Sequence, residues 1–357
     1  MIPKPSLATK NRMRRRRQRG VALIIILMLV AIMAAIAASM SERLFTQFKR
    51  SGNQINHQQA YWYAIGVEAL AEKAIEESYK QSENDSNKTV NLSQPWAYGG
   101  KEMSLDLDYG KMKGKIVDKQ ACFNINALSG VAPTSNSPNG PYLVRFFQNL
   151  LESVGVESYK AEVIANSTWS YVSANQAVRA MTGISDSHYE SLKPSYLPPN
   201  GMMADSSELR AVNEMTGKIM LEIQPFICAL PTTEWKMNVN TLKPNQANLL
   251  AALFYPNLSV SNAKQIIADR PEKGWETVSA FMSSSSVLTG LSDTARSDAE
   301  KYLTVDSAYF GLDAQIFVGD SRVRIRSLLF SKDRKTATVI RRRFGGISER
   351  VLDRSSE

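Results

Sequence analysis

The sequence predicts an α+β protein: a long N-terminal helix, a small antiparallel sheet, and a large α-helical domain inserted between the sheet's strands. Three observations predict this. An uncharged apolar run at residues 21–38 continues into helix-compatible sequence to about residue 80. Strand-like alternation occurs at residues 103–120 and returns at 308–344. Between the two, residues 126–305 carry mainly helical patterns and loop punctuation.

The first element follows a leader. Residues 1–20 hold eight basic residues and no acidic one, including an uninterrupted block from Arg14 to Arg17. The whole chain of 357 residues has 43 Lys plus Arg against 34 Asp plus Glu, a net charge of +9; without the leader, 35 basic face 34 acidic residues. The basic excess therefore describes the leader rather than the body, which argues against a nucleic-acid partner. The run VALIIILMLVAIMAAIAA comes next. Eighteen helical residues rise about 27 Å, close to the hydrocarbon thickness of a bilayer. The basic flank places the N-terminus in the cytoplasm and the bulk across the membrane. A cleaved secretory signal has a shorter apolar core, although AIAASM imitates its cleavage site. Above the span, Phe45, Phe48, Tyr63, Val67, Leu70 and Ala74 fall near helical spacing, while Gly52 and Gly66 lower helix propensity.

Residues 81–96 are a polar loop by composition. Leu105, Leu107 and Tyr109 then alternate with Asp106 and Asp108, and Gly110 and Gly114 suggest a turn between two strands. Residues 142–175 read as helical, and residues 206–212 restart a helix after Asp205 or Ser206. Residues 238–270 read as helix, turn, helix, with Asn240 or Thr241 near the first N-terminus. This pair is similar to a helix-hairpin-helix module, but its hairpin YPNLSVSN lacks glycine and a basic cluster, so it reads as a packing unit rather than a phosphate binder. A hairpin around Gly319-Asp320 and a further strand at 336–346 close the chain. Arg322, Arg324 and Arg326 alternate with Val323 and Ile325, which makes them a partner surface or a solvated sheet face.

The Arg19-Gly20 junction with the apolar run resembles a type IV prepilin-like leader. That resemblance implies cleavage by prepilin peptidase after Gly20, an N-methylated Val21 as first mature residue, and retention of the whole apolar helix. Most pilins and pseudopilins carry Glu at the fifth mature position; this chain has Ile25. A charge there is tolerable in lipid only with a partner. Its absence resembles one minor pseudopilin, the K subunit of the type II secretion system. The stretch Cys122-Phe123-Asn124-Ile125-Asn126-Ala127-Leu128, Tyr189, Glu208-Leu209-Arg210, Cys228-Ala229-Leu230-Pro231, Asn238-Val239-Asn240-Thr241 and Ser307-Ala308-Tyr309-Phe310 resemble that family in order. Trp169 stands where the family tends to carry a WID-type motif, with Ser170 and Tyr171 in place of Ile and Asp.

The resemblance implies a type IV pilin-like fold divided into leader 1–20, membrane-spanning and extended helix 21–80, sheet domain 81–125 with 306–357, and inserted helical domain 126–305. It implies a noncatalytic subunit capping a periplasmic pseudopilus and assisting its initiation and protein export. The implied partners are minor pseudopilins I and J, prepilin peptidase, the inner-membrane assembly platform, and the secretin and exported proteins. The alternative is a minor pilin-like subunit of another filament, for adhesion or DNA uptake.

The residues themselves carry no enzyme signature: GxSxG, HExxH, CxxC and a phosphate loop are all absent. His57 falls in the N-terminal helix, His188 reads as a loop residue, and the serine run at 283–286 has no evident base. Two Cys and two His exclude a disulfide-dense scaffold and leave most zinc sites short of ligands. In an oxidising periplasm Cys122 and Cys228 can pair; the alternative is two separately buried thiols. Asp and Asn are common in loops such as 81–91, so a structural calcium enters through the family, but no EF-hand loop is present and no ligand is assigned.

Overall fold

A computed structural model describes residues 18–83, 88–132, 140–174, 182 and 184–345. The Arg14 to Arg17 block, with the rest of residues 1–17, and residues 84–87 of the calcium-candidate loop lie outside the described residues. Helix α1, Gln18–Glu83, spans 66 residues, about 100 Å at 1.5 Å each, and outruns the expected end near residue 80. Among the described residues, nothing packs on its lower part. Its upper part buries Ala60, Ala64, Val67, Ala71, Ile75 and Tyr79, three or four residues apart, so one stripe faces the sheet.

The chain continues through β1, Met103–Leu107, and β2, Gly110–Asp118. The helical block then supplies β3, Phe123–Asn124; α2, Tyr142–Ser153; α3, Ser158–Val172; α4, Asp186–Ser191; α5, Gly217–Ile223; and β4, Ile227–Cys228. It goes on with β5, Met237–Asn238; α6, Ala247–Leu253; α7, Val260–Ala268; α8, Val278–Met282; α9, Ser286–Thr289; α10, Asp293–Glu300; and β6, Leu303–Thr304. The return strands are β7, Tyr309–Val318; β8, Ser321–Phe330; and β9, Thr338–Phe344. The five-stranded sheet runs β1-β2-β7-β8-β9, antiparallel throughout, so the early and late strands share one sheet across the long insertion.

Side-chain polarity explains two hydrophobic cores. On the α1 side of the sheet, Met112, Phe310, Leu312, Ala314, Ile316, Val323, Ile325 and Leu329 pack on the helix stripe and Trp96. The helical block has its own core, in which Phe123, Phe146, Phe147 and Trp235 meet at ring separations of 4.9 to 5.4 Å. Short helices start on side-chain caps: Glu157 for α3, Thr216 for α5, Ser259 for α7, Thr277 for α8 and Ser292 for α10. Asp205 and Glu208 form a capping box around the 3₁₀ turn Ser206–Ala211.

Several sequence expectations change. The β1-β2 turn is Asp108-Tyr109, since Leu107 pairs with Gly110. Gly114 lies inside β2, where its missing side chain admits Ala314; a Cβ there would sit 2.8 Å from the Ala314 Cβ. The Gly319-Asp320 turn is found as expected, with Val318 paired to Ser321. Asn240 and Thr241 precede α6 rather than start it, because Pro244–Gln246 forms a 3₁₀ turn first. His188 sits in α4, not in a loop. The arginine face is not simply solvated. Arg324 is buried, forming a bidentate pair with Asp313 at 2.8 and 2.9 Å, and Arg326 donates to the Gly345 carbonyl at 2.8 Å.

Candidate functional site

Two regions collect the functional candidates: the bare helix and the joint between sheet and insertion. Gly20, Val21 and Ile25 all lie on the exposed lower part of α1. This is the one helix among the described residues long and apolar enough to cross a membrane. Above it, Phe48, Ile55 and Trp62 repeat every seven residues and are 75, 63 and 68% exposed. Seven residues are nearly two turns, so these side chains form one apolar seam on the helix surface. Such a seam suits another helix.

At the joint, the structure bonds Cys122, just beyond β2, to Cys228 in β4. Leu230, Leu328 and Tyr309 surround the pair, so the bridge sits where the insertion meets the outer face of β7 and β8. Phe123 and Asn124 run parallel to Ile227 and Cys228, which sets the two sulfurs side by side. The reach is 106 positions in sequence, and only the tertiary fold closes it.

Beside the bridge is a buried polar hub that sequence reasoning did not single out. The Asp118 Oδ2 accepts from Ser307 Oγ at 2.5 Å, Thr241 Oγ1 at 2.6 Å and Asn238 Nδ2 at 3.1 Å. Its Oδ1 accepts from the Gln120 amide at 2.7 Å. Burial pushes the Asp118 carboxyl above its ordinary value, and these four donors partly offset that rise. Asn238 Nδ2 also lies 3.0 Å from the Val90 carbonyl, and Tyr79 donates to the Ser307 carbonyl at 2.7 Å. Asp118 thus ties β2 to the insertion and to Ser307, just ahead of the return strand, and Ser307 in turn holds the top of α1 through Tyr79. The motifs at 238–241 and 307–310 were visible as text, but their common partner was not.

The asparagines of the first motif serve the same purpose inside the insertion. Asn124 accepts from the Leu230 amide and donates to the Thr232 carbonyl, at 2.9 and 2.8 Å. Asn126 donates to the Leu230 and Met203 carbonyls and accepts from the Met203 amide. Asn240 clamps Trp275 through its amide and carbonyl, at 2.7 and 2.9 Å. Each side chain substitutes for backbone pairing in irregular chain, which buried amides require.

Strand β9 fastens both sides of the sheet. Arg342 forms a two-pronged pair with buried Glu68 on α1, which Ser327 also contacts. Alternation turns Arg341 and Arg343 to the opposite face. There Arg343 pairs with Asp205 at 2.6 Å, and Arg341 reaches the Ala204 and Ala229 carbonyls. Burial and the neighbouring Arg341 hold the Lys119 ammonium below its ordinary value at the same joint.

The other candidates are structural in their surroundings. Trp169 and Tyr171 are buried in the insertion core, Tyr171 against Tyr189 at 6.0 Å, and Ser170 donates to the Ile184 carbonyl. Ser285 caps α9, and Ser283 and Ser284 donate to helix carbonyls. Among the described residues, no group of three His, Cys, Asp or Glu side chains gathers to hold a metal ion.

With this geometry in place, the comparisons with known proteins are specific. Residues 121–232 and 237–306 match two family models, both described as type II secretion system (T2SS), protein K. The chain is 35% identical to type II secretion system protein K of Aeromonas hydrophila, over 94% of this chain and 99% of that protein. It is 33% identical to the protein of the same name in Klebsiella pneumoniae, over 92 and 97%. Its fold is similar to a chain in the crystal structure of the GspK-GspI-GspJ complex from the enterotoxigenic Escherichia coli type 2 secretion system. The TM-score is 0.74 at 32% identity, covering 84% of this chain and 100% of that chain.

Proposed function

The chain belongs to the type II secretion system protein K family, and we propose that it caps the periplasmic pseudopilus together with minor pseudopilins I and J. It is a noncatalytic minor pseudopilin. The observation that carries the reading is the whole-length match to protein K sequences, joined to structural likeness with a chain found in a K-I-J complex.

The apolar segment of α1 anchors the protein in the inner membrane, with the basic leader in the cytoplasm and the body in the periplasm. Prepilin peptidase cuts after Gly20, and Val21 becomes the first residue. The chain then divides into the helix 21–80, the sheet domain 81–125 with 306–357, and the inserted domain 126–305. Ile25 leaves no carboxylate in the span to meet a neighbour's amine, which suits a subunit with no copy above it. The seam at Phe48, Ile55 and Trp62 receives the helices of I and J. The bulk of the insertion prevents repetition along a narrow filament and presents a distal surface toward the secretin and exported proteins. Assembly on the inner-membrane platform draws α1 from the bilayer, and the Cys122–Cys228 bridge forms in the periplasm.

Co-purification with I and J tests the assembly. A folded chain that forms no ternary complex overturns it. Processing is tested separately: Gly20→Leu is expected to accumulate as precursor, and normal N-terminal sequence from Val21 in that variant refutes the junction.

A further inference from the structure

Strand β2 presents Lys111, Lys113 and Lys115 on the face turned away from α1, all exposed, while Met112 between them is buried toward the helix. Alternate residues on one strand face repeat about every 6.8 Å. We propose that this row of three lysines is a docking surface for an extended acidic segment of a partner polypeptide, with carboxylates on alternate residues.

The lysines do not serve the sheet itself. Charged residues commonly guard an edge strand, but β2 is paired on both sides, to β1 and β7. Among the described residues, Lys111 is the member of the row that has a carboxylate within 4 Å. Asp106 lies 3.6 Å from Lys111, whereas Asp313, opposite Lys115, is held by Arg324. Access is open: β1 beside the row is exposed along Met103, Ser104, Leu105 and Asp106.

A lipid surface is the competing source of negative charge, and the geometry disfavours it. The sheet's lower end sits at the level of Asn53 and Asn56: Ser321 Oγ donates to the Asn53 carbonyl, and Gly319 lies against Asn56. Asn56 is 18 residues beyond Ala38, the end of the apolar run. At 1.5 Å per residue this is about 27 Å, against a Debye length of about 8 Å at physiological salt. The strands climb α1 from there, since Phe310 packs on Tyr79. The row therefore leads away from the bilayer.

The test uses the full chain in neutral phosphatidylcholine nanodiscs and a fluorescent (Glu-Thr)6 peptide, read by anisotropy. Binding is expected at about 50 mM salt and should weaken by about tenfold near 300 mM, as screening shortens the Debye length. The variant K111E/K113E/K115E is expected to lose binding, with K111Q/K113Q/K115Q intermediate; tryptophan fluorescence checks that both are folded. The variant K218E/K264E/K273E changes net charge equally at exposed sites elsewhere on the insertion and is expected to bind as the parent does. Absence of parent binding, or equal loss in both charge-reversed triples, overturns the proposal. So does capture of phosphatidylglycerol vesicles with the same dependence on Lys111, Lys113 and Lys115. Formation of the complex with I and J is read separately and does not enter this result.

Discussion

Asp118→Ala is expected to loosen the joint between sheet and insertion. Four donors converge on this carboxylate, and their fates differ once it is removed. Asn238 keeps the Val90 carbonyl at 3.0 Å, and Thr241 keeps a longer contact to the Asn238 carbonyl at 3.3 Å. The Gln120 amide is only half-buried, so water replaces its acceptor. The Ser307 hydroxyl, 2% exposed, is left without its carboxylate. An orphaned buried donor costs about 1–3 kcal/mol, and weakened charge-assisted bonds add about 1 kcal/mol; relief of carboxylate burial offsets part of this, leaving about 2–4 kcal/mol. Asp118→Asn keeps the shape and one acceptor, while the two hydroxyls turn to accept from its amide, so about 1 kcal/mol is expected. Unfolding in mild detergent, followed by tryptophan fluorescence, measures both. A cost below about 0.5 kcal/mol for Asp118→Ala, or equal costs for the two variants, refutes the reasoning. The pH dependence adds a sign. Because burial raises the folded-state value above 3.8, the folded protein holds this proton more tightly than the unfolded chain. This group's contribution therefore becomes more favourable as pH falls through the folded-state value toward 3.8. The stability difference between parent and Asp118→Asn should move in the parent's favour over that interval.

Three further outcomes follow from the bridge, the β9–α1 ion pair and the packing inside the insertion. Replacing Cys122 and Cys228 by Ser opens a loop spanning 106 positions, which corresponds to roughly 4–5 kcal/mol in the chain-entropy picture. Denaturation with and without reductant measures it, and a parent indifferent to reductant contradicts the bridge. Arg342→Ala leaves buried Glu68 without its cation and should cost about 2–4 kcal/mol, less than a wholly buried pair because Arg342 is partly exposed. Glu68→Gln combined with Arg342→Ala should recover part of that loss in a double-mutant cycle. Gly274→Ala places a Cβ 2.5 Å from Asn240 at a φ of +75°, and should cost about 1–3 kcal/mol in thermal unfolding.

Local pattern made much of this protein legible. The apolar run, the helix that continues it and the β7-β8 turn all depend on neighbours within a few positions. Periodicity reports such neighbours directly. The face of that helix that meets the sheet was not marked, since Phe45, Phe48 and Leu70 of the expected spacing are exposed and Ala60, Ala64, Ala71 and Ile75 are buried with Val67. The inserted topology was readable because strand signals stop before the insertion and resume after it. Turn placement was weaker. Gly114 resembles a turn residue in text, yet its small size answers to Ala314, on a strand that begins nearly two hundred residues later.

Polar residues were the least legible class, because a charge or amide carries no mark of its partner. Arg324 reads as a surface residue until β7 brings Asp313 beside it. Arg342 finds Glu68 from 274 positions away, and Ser307 finds Asp118 from 189. By itself, the sequence determined the membrane-length helix, the leader's charge, the insertion and the family resemblance, since each is written in local composition, spacing or order. Only the tertiary structure decided which polar side chains hold the insertion to the sheet and which lysines remain outside that network. Those decisions depend on burial, and burial exists only once distant segments have packed together.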